Sequence, residues 1–204
     1  MRHLLACLTL ALVASSCVTV DPNAERKANL GPWVQASPQL QQQIESQAQR
    51  LPWAHGMDRV ELIQWFAAVG EPAYETLLAL VLDPRPDVAG ASLAALGATR
   101  DSRLVEPLRD LPWPPADKAD LALERARTLL RLGDWSMVPL LMKGLEDDRL
   151  MTRALCGQAL FEATHERFDF DPNGTPEERA ASVERWKAWW YERQNDPLMG
   201  AGTH

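Results

Sequence analysis

From residue 58 to about residue 163, apolar side chains recur three and four positions apart, the spacing of helices with one buried face. Val60, Ile63, Phe66 and Ala67 form one stripe, and Tyr74, Leu77, Leu78 and Val81 the next. Val88, Ser92, Ala95 and Leu96 are followed by Leu104, Val105, Leu108 and Leu111. Leu121, Ala122, Arg125, Leu129 and Leu132 precede Met137, Val138, Leu140, Leu141 and Leu145. Gly70, Gly97 and Gly133 stand where the first helix of each pair should stop. No stretch alternates with period two, so the chain reads as all-α. The spacing predicts helices over 59–69, 72–82, 86–97, 102–110, 117–132, 135–146 and 148–163. Two more flank them. Ser37-Pro38 supplies an N-cap and a first-turn proline for a glutamine-rich helix carrying Leu40, Ile44, Ala48 and Leu51, which Pro52 ends. Thr175-Pro176-Glu177-Glu178 starts a helix over 176–193 with Ala180, Val183, Trp186 and Trp190 on one side.

The pattern also repeats. Leu77, Leu108 and Leu140 stand 31 and 32 residues apart, and Asp83 and Asp147 are separated by 64, two such periods. A period in the low thirties marks stacked supersecondary units, here about four helical hairpins. On that reading the three leucines face the core between hairpins.

Asp83-Pro84-Arg85-Pro86-Asp87-Val88, Ala94-Ala95-Leu96-Gly97, Asp101 and Val105-Glu106-Pro107-Leu108 resemble a bacterial HEAT repeat of the short, lyase-associated type. Leu132-Gly133-Asp134 with Met137-Val138-Pro139-Leu140-Leu141 resembles half of another unit. The segment 147–160 resembles half of a third, with Arg153 at the family's helix-starting arginine. The match departs at Ala89, where that arginine would stand, and at Leu111-Pro112-Trp113-Pro114-Pro115, which interrupts the stack. The resemblance implies an α-solenoid with a right-handed superhelical stack over 58–163. The segment 38–57 would cap its front and 164–195 its back, with 196–204 a flexible tail. It also implies that the second helices line a concave binding face, where Arg103, Glu106, Arg109 and Lys143 would meet a partner. Some relatives attach pigments, so an enzyme or accessory lyase subunit is the alternative; a structural spacer is a third reading. Fold analogy alone carries no activity.

The N-terminus adds a location. Arg2 and His3 precede ten residues, Leu4 to Val13, that are apolar except Thr9. This fits the core of an export signal. Ala14-Ser15-Ser16-Cys17 resembles the lipobox of bacterial lipoproteins, which implies signal removal after residue 16 and lipidation at Cys17. An ordinary secretory signal and a retained anchor are the competing readings. Val18 stands where an aspartate would imply inner-membrane retention, so the resemblance implies the periplasmic face of the outer membrane. The polar, proline-containing stretch 17–37 reads as a tether. Cys7 would leave with the signal, so Cys156 has no intramolecular partner; its apolar surroundings suggest a buried small hydrophobe rather than a reactive thiol.

A net charge of −7 argues against a phosphate backbone as the main partner. No cofactor is expected: the chain carries no glycine-rich phosphate loop, G-x-S-x-G or H-E-x-x-H motif. No metal ligand set is expected from His55, His165 and His204, which are too scattered. Asp169, Asp171, Asn173 and Gly174 spell the opening of a calcium loop, but Ala180 stands at its closing position, and a turn feeding a capped helix explains the same residues. Eight tryptophans are many for 204 residues. Trp65, Trp186 and Trp190 fall on apolar stripes; Trp33, Trp53, Trp113 and Trp189 do not. Trp113, braced by prolines, is the best candidate partner anchor, against the simpler reading that it packs on its own fold. The expectation is a non-enzymatic, lipid-anchored scaffold that binds protein, with no small-molecule substrate.

Overall fold

The computed structural model describes residues 33–195, and among these every regular element is helical. In chain order they are α1 (Pro38–Arg50), α2 (Gly56–Val69), α3 (Tyr74–Leu80), α4 (Pro86–Thr99), α5 (Val105–Asp110), α6 (Ala119–Arg131), α7 (Val138–Gly144), α8 (Leu150–Thr164) and α9 (Pro176–Gln194). Each segment that the periodicity predicts is present. The residues proposed as signal and tether up to position 32, Cys17 included, and the tail from 196 lie outside the described residues.

Local chemistry sets the helix starts. Ser37 accepts a hydrogen bond from the Leu40 amide, and Thr175 and Glu178 form a reciprocal capping box. The short helices α3, α5 and α7 each follow a single 3₁₀ turn. Asp101 and Asp134 organise two of these turns by accepting from the amides two residues on. Gly70 at φ 69° and Gly133 at φ 105° lie just past α2 and α6, in the left-handed region that glycine adopts freely. Gly97 does not stop its helix. It lies buried inside α4, where an added Cβ would meet Thr128 of α6 at 3.5 Å, and α4 runs on to Thr99 with Arg100, left-handed at φ 55°, as its C-cap.

The long helices pack in chain order: α2 on α4, α4 on α6, and α6 on α8. Of the short helices, α3 lies against α4 and α7 against both α6 and α8, while α1 packs on α3 and α9 on α7. The core runs through these contacts. Phe66, Leu77, Leu93, Leu96, Leu108 and Leu129 are wholly buried, each worth about 1.5–3 kcal/mol of transfer free energy. Toward the C-terminus Leu141, Leu145, Leu160, Val183 and Trp186 continue it, with Phe168, Trp189 and Trp190 packed at the margin.

Four further expectations change. Leu140 is only half-buried; the wholly buried residue is Leu141, fourth in α7 as Leu77 is in α3 and Leu108 in α5. On α2 the buried pair is Leu62 and Phe66, four apart, which leaves Val60 exposed. The folded body begins before the proposed tether boundary at 37: Trp33 is buried edge-on against Tyr74, and the Val34 amide donates to Glu71. Trp65 and Trp190, read as core, are half-buried.

Candidate partner-binding groove

α5 is six residues long and stops at Asp110. Three of the next five residues are proline, so the turn has few amides to offer the carbonyls left open at the helix end. Arg125, reaching from α6, meets them instead. Its guanidinium donates to the carbonyls of Pro112 (2.6 Å), Leu111 (2.8 Å) and Leu108. Burial pushes this group down to about 10, still well above neutrality. Arg153 does the corresponding work before α8, donating to the carbonyls of Asp147, Asp148 and Pro172. Sequence reading placed Arg125 on an apolar stripe and missed this role, because its partners are backbone oxygens that no motif announces.

The same guanidinium lies 4.9 Å from the centroid of the Trp113 ring. Trp113 is therefore stacked from one side, and it remains 44% exposed. It forms one wall of a groove of about 620 Å³ between the proline turn, α6 and α7. Pro114, Ala119, Leu123 and Leu140 supply apolar lining; Lys143, Glu146 and Asp147 supply charged lining. The half-burial of Leu140 has its explanation here, since this leucine packs against the margin of the core and also lines the groove.

Of the remaining candidates, Arg103 and Arg109 are committed to the fold. Arg103 pairs with Asp101 at 2.7 Å and with Glu71, and lies over the Trp33 ring. Arg109 grips Asp134 through both Nε (2.7 Å) and a terminal nitrogen (2.6 Å). Asp134 has a side chain only 1% exposed. Burial would raise its carboxyl, but hydrogen bonds from Arg109 and Ser136 outweigh that and hold it below the usual aspartate range. Glu106 is exposed beside Arg109 and does not line the groove. The structure thus brings together Trp113 and Lys143 of the five candidate contact residues.

Elsewhere, Asp171 accepts from the Asn173 amide in a tight turn, Glu178 is held in the capping box, and Asp169 points outward near Arg185. Among the described residues no three His, Cys, Asp or Glu side chains converge on a metal position. Cys156 is buried, and burial pushes its thiol up to about 11. No helix among the described residues is long and apolar enough to cross a membrane. The chain matches no protein-family model and no curated protein.

Proposed function

We propose that this chain is a lipid-anchored α-solenoid of the HEAT type that binds a protein partner in the cell envelope through the Trp113 groove. The stack of α2, α4, α6 and α8, with α3 and α7 against it, is the neighbour-to-neighbour packing such a solenoid requires. A right-handed superhelix and an outer-membrane address follow from the same resemblances.

The observation that carries the binding reading is the state of Trp113. The indole is half-exposed on a backbone already fixed by three arginine hydrogen bonds and flanking prolines. A rigid aromatic loses little conformational freedom on binding, which is what hot-spot residues exploit. The adjacent apolar groove suits an extended peptide with one or two apolar side chains, and the charged lining residues Lys143, Glu146 and Asp147 would set direction rather than strength.

Trp113→Ala tests this. The expected result is a nearly unchanged thermal midpoint with loss of most protein captured by in-cell crosslinking. Unfolding of the variant, or full capture without the indole, would make Trp113 a packing residue. The anchor is tested separately: Cys17→Ser should release the protein from the membrane fraction or leave it unprocessed.

A further inference from the structure

Among the described residues nine large apolar side chains are exposed, and six of them stand at the starts of the long helices. Trp53 and Met57 flank the start of α2, Leu82 precedes α4, Trp113 precedes α6, and Leu150 and Met151 open α8. These helices pack in chain order, and polar contacts tie their starts together. Arg59 meets Asp87 at 2.7 Å, Lys118 donates to the Pro84 carbonyl at 3.3 Å, and Arg149 meets Asp120 at 2.7 Å. The four entry turns therefore lie side by side, and their apolar side chains form a row along one edge of the body.

A single exposed leucine needs no explanation, but a row along a whole edge does. Packing within the fold does not supply one, since Trp53 is 79% exposed, Met57 70% and Met151 68%. Two observations favour a lipid surface as the cover. The first is reach. Fifteen residues separate Cys17 from Trp33, where the folded body begins. That length of chain spans at most about 55 Å, so a chain lipidated at Cys17 keeps its body beside the bilayer. The second is the form of the row. It carries one or two side chains per helix, and packed helices lie about 8–10 Å apart. Protein interfaces concentrate their energy in a close-packed centre, which side chains so spaced do not provide. A fluid bilayer interface takes up each side chain separately, and an indole, apolar with one polar N–H, settles at headgroup depth. The basic residues of the edge are engaged: Arg59, Arg85 and Arg149 pair with Asp87, Asp83 and Asp147. Apolar contact, rather than attraction to anionic headgroups, is what such an edge offers.

We infer that the edge formed by these entry turns lies on a zwitterionic bilayer surface, with Trp53, Met57, Leu82 and Met151 at the interface. The inference rests on the lipid anchor proposed above and adds an orientation to it. Trp113, the least exposed of the six at 44%, remains the wall of its groove.

The test uses the full chain, expressed with its signal, purified from membranes and reconstituted in phosphatidylcholine–phosphatidylethanolamine vesicles. Met57→Cys, Met151→Cys and Glu166→Cys are each labelled with an environment-sensitive fluorophore; Cys156 is buried and does not compete. Glu166 is exposed just beyond the C-terminal end of α8, about 22 Å along that helix from Leu150. The labels at 57 and 151 should shift to the blue and lose most of their emission to doxyl-labelled lipid, and the label at 166 should do neither. Adding Trp53→Ser and Met151→Ser should return the label at 57 to the behaviour of the one at 166. Labels at 57 and 151 no more quenched than the one at 166, or all three quenched alike, overturn the inference while the anchor stands. A mature chain whose mass lacks acyl groups and that does not float with vesicles overturns the anchor, and the inference with it. A blue shift in detergent that grows with protein concentration assigns the edge to a second copy of the chain and overturns the lipid assignment.

Discussion

Gly144 shows how a single atom sets the approach of two helices. It ends α7 where that helix crosses α8, and a methyl group at its Cα would lie 2.4 Å from the Cys156 sulfur. Two effects oppose each other in Gly144→Ala. Helix propensity favours alanine by up to about 1 kcal/mol. Overpacking against a buried side chain costs about 1–3 kcal/mol. At 2.4 Å the clash is severe enough to dominate, so the variant should lose about 1–2 kcal/mol in urea unfolding. Cys156→Ala placed in the same chain should restore most of the loss, because it removes the atom that is struck. Stabilisation by Gly144→Ala alone would mean the two helices sit further apart. The same burial holds Cys156 in its thiol form, consistent with a small hydrophobe.

The elements were legible where periodicity, glycine and proline agreed, and illegible where partners lie far off in sequence. The run Met137 to Met142, which leads into and through α7, holds no polar residue, so spacing alone does not choose between Leu140 and Leu141. Only packing does: it buries Leu141 wholly and leaves Leu140 at the core's margin, where it also lines the groove. Trp113 stood out because prolines surround it. Arg103 and Arg109 looked available because Glu71 and Asp134, which hold them, are 32 and 25 residues away. Arg125 gave no signal because it serves carbonyls. Its role predicts an unusual substitution pattern. Arg125→Met keeps the bulk but strands three acceptors, one of them at a fully buried residue, and should cost about 2–4 kcal/mol. Arg125→Lys should recover less than half, since one ammonium cannot span three carbonyls as a planar fork does. If lysine restores full stability in urea unfolding, charge and not geometry is what the turn needs.

At the scale of the whole body, neighbouring units are tied by ion pairs as well as by leucines. Arg59 reaches Asp87 between the starts of α2 and α4, Arg149 reaches Asp120 between those of α8 and α6, and Arg131 reaches Glu162 between α6 and α8. Arg103 and Arg109 join successive short helices through Glu71 and Asp134. Exposed pairs of this kind contribute little each, about 0–1 kcal/mol. Asp134 differs because its carboxylate is buried and held by two nitrogens of Arg109. Its carboxyl is held below the ordinary value of 3.8, as are those of Asp101, lowered chiefly by Arg103, and Asp147, lowered chiefly by Arg149. A lowered carboxyl binds fewer protons in the folded chain than in the unfolded one. The stability it lends is therefore complete above the unfolded value and is lost as pH falls through the folded value. For these aspartates the loss begins near pH 4 and continues below it, so the thermal midpoint should be level between neutrality and about pH 5 and then fall steeply. Asp134→Asn keeps the shape of the turn but removes the titrating group. Its midpoint should be lower at neutral pH, where an uncompensated Arg109 remains, and should converge on that of the unaltered protein in acid. Added salt should flatten the share of the acid limb owed to the exposed pairs and leave the Asp134 share in place. Parallel acid limbs in the two proteins would show that the buried clasp between the second and third short helices is not what the body loses first.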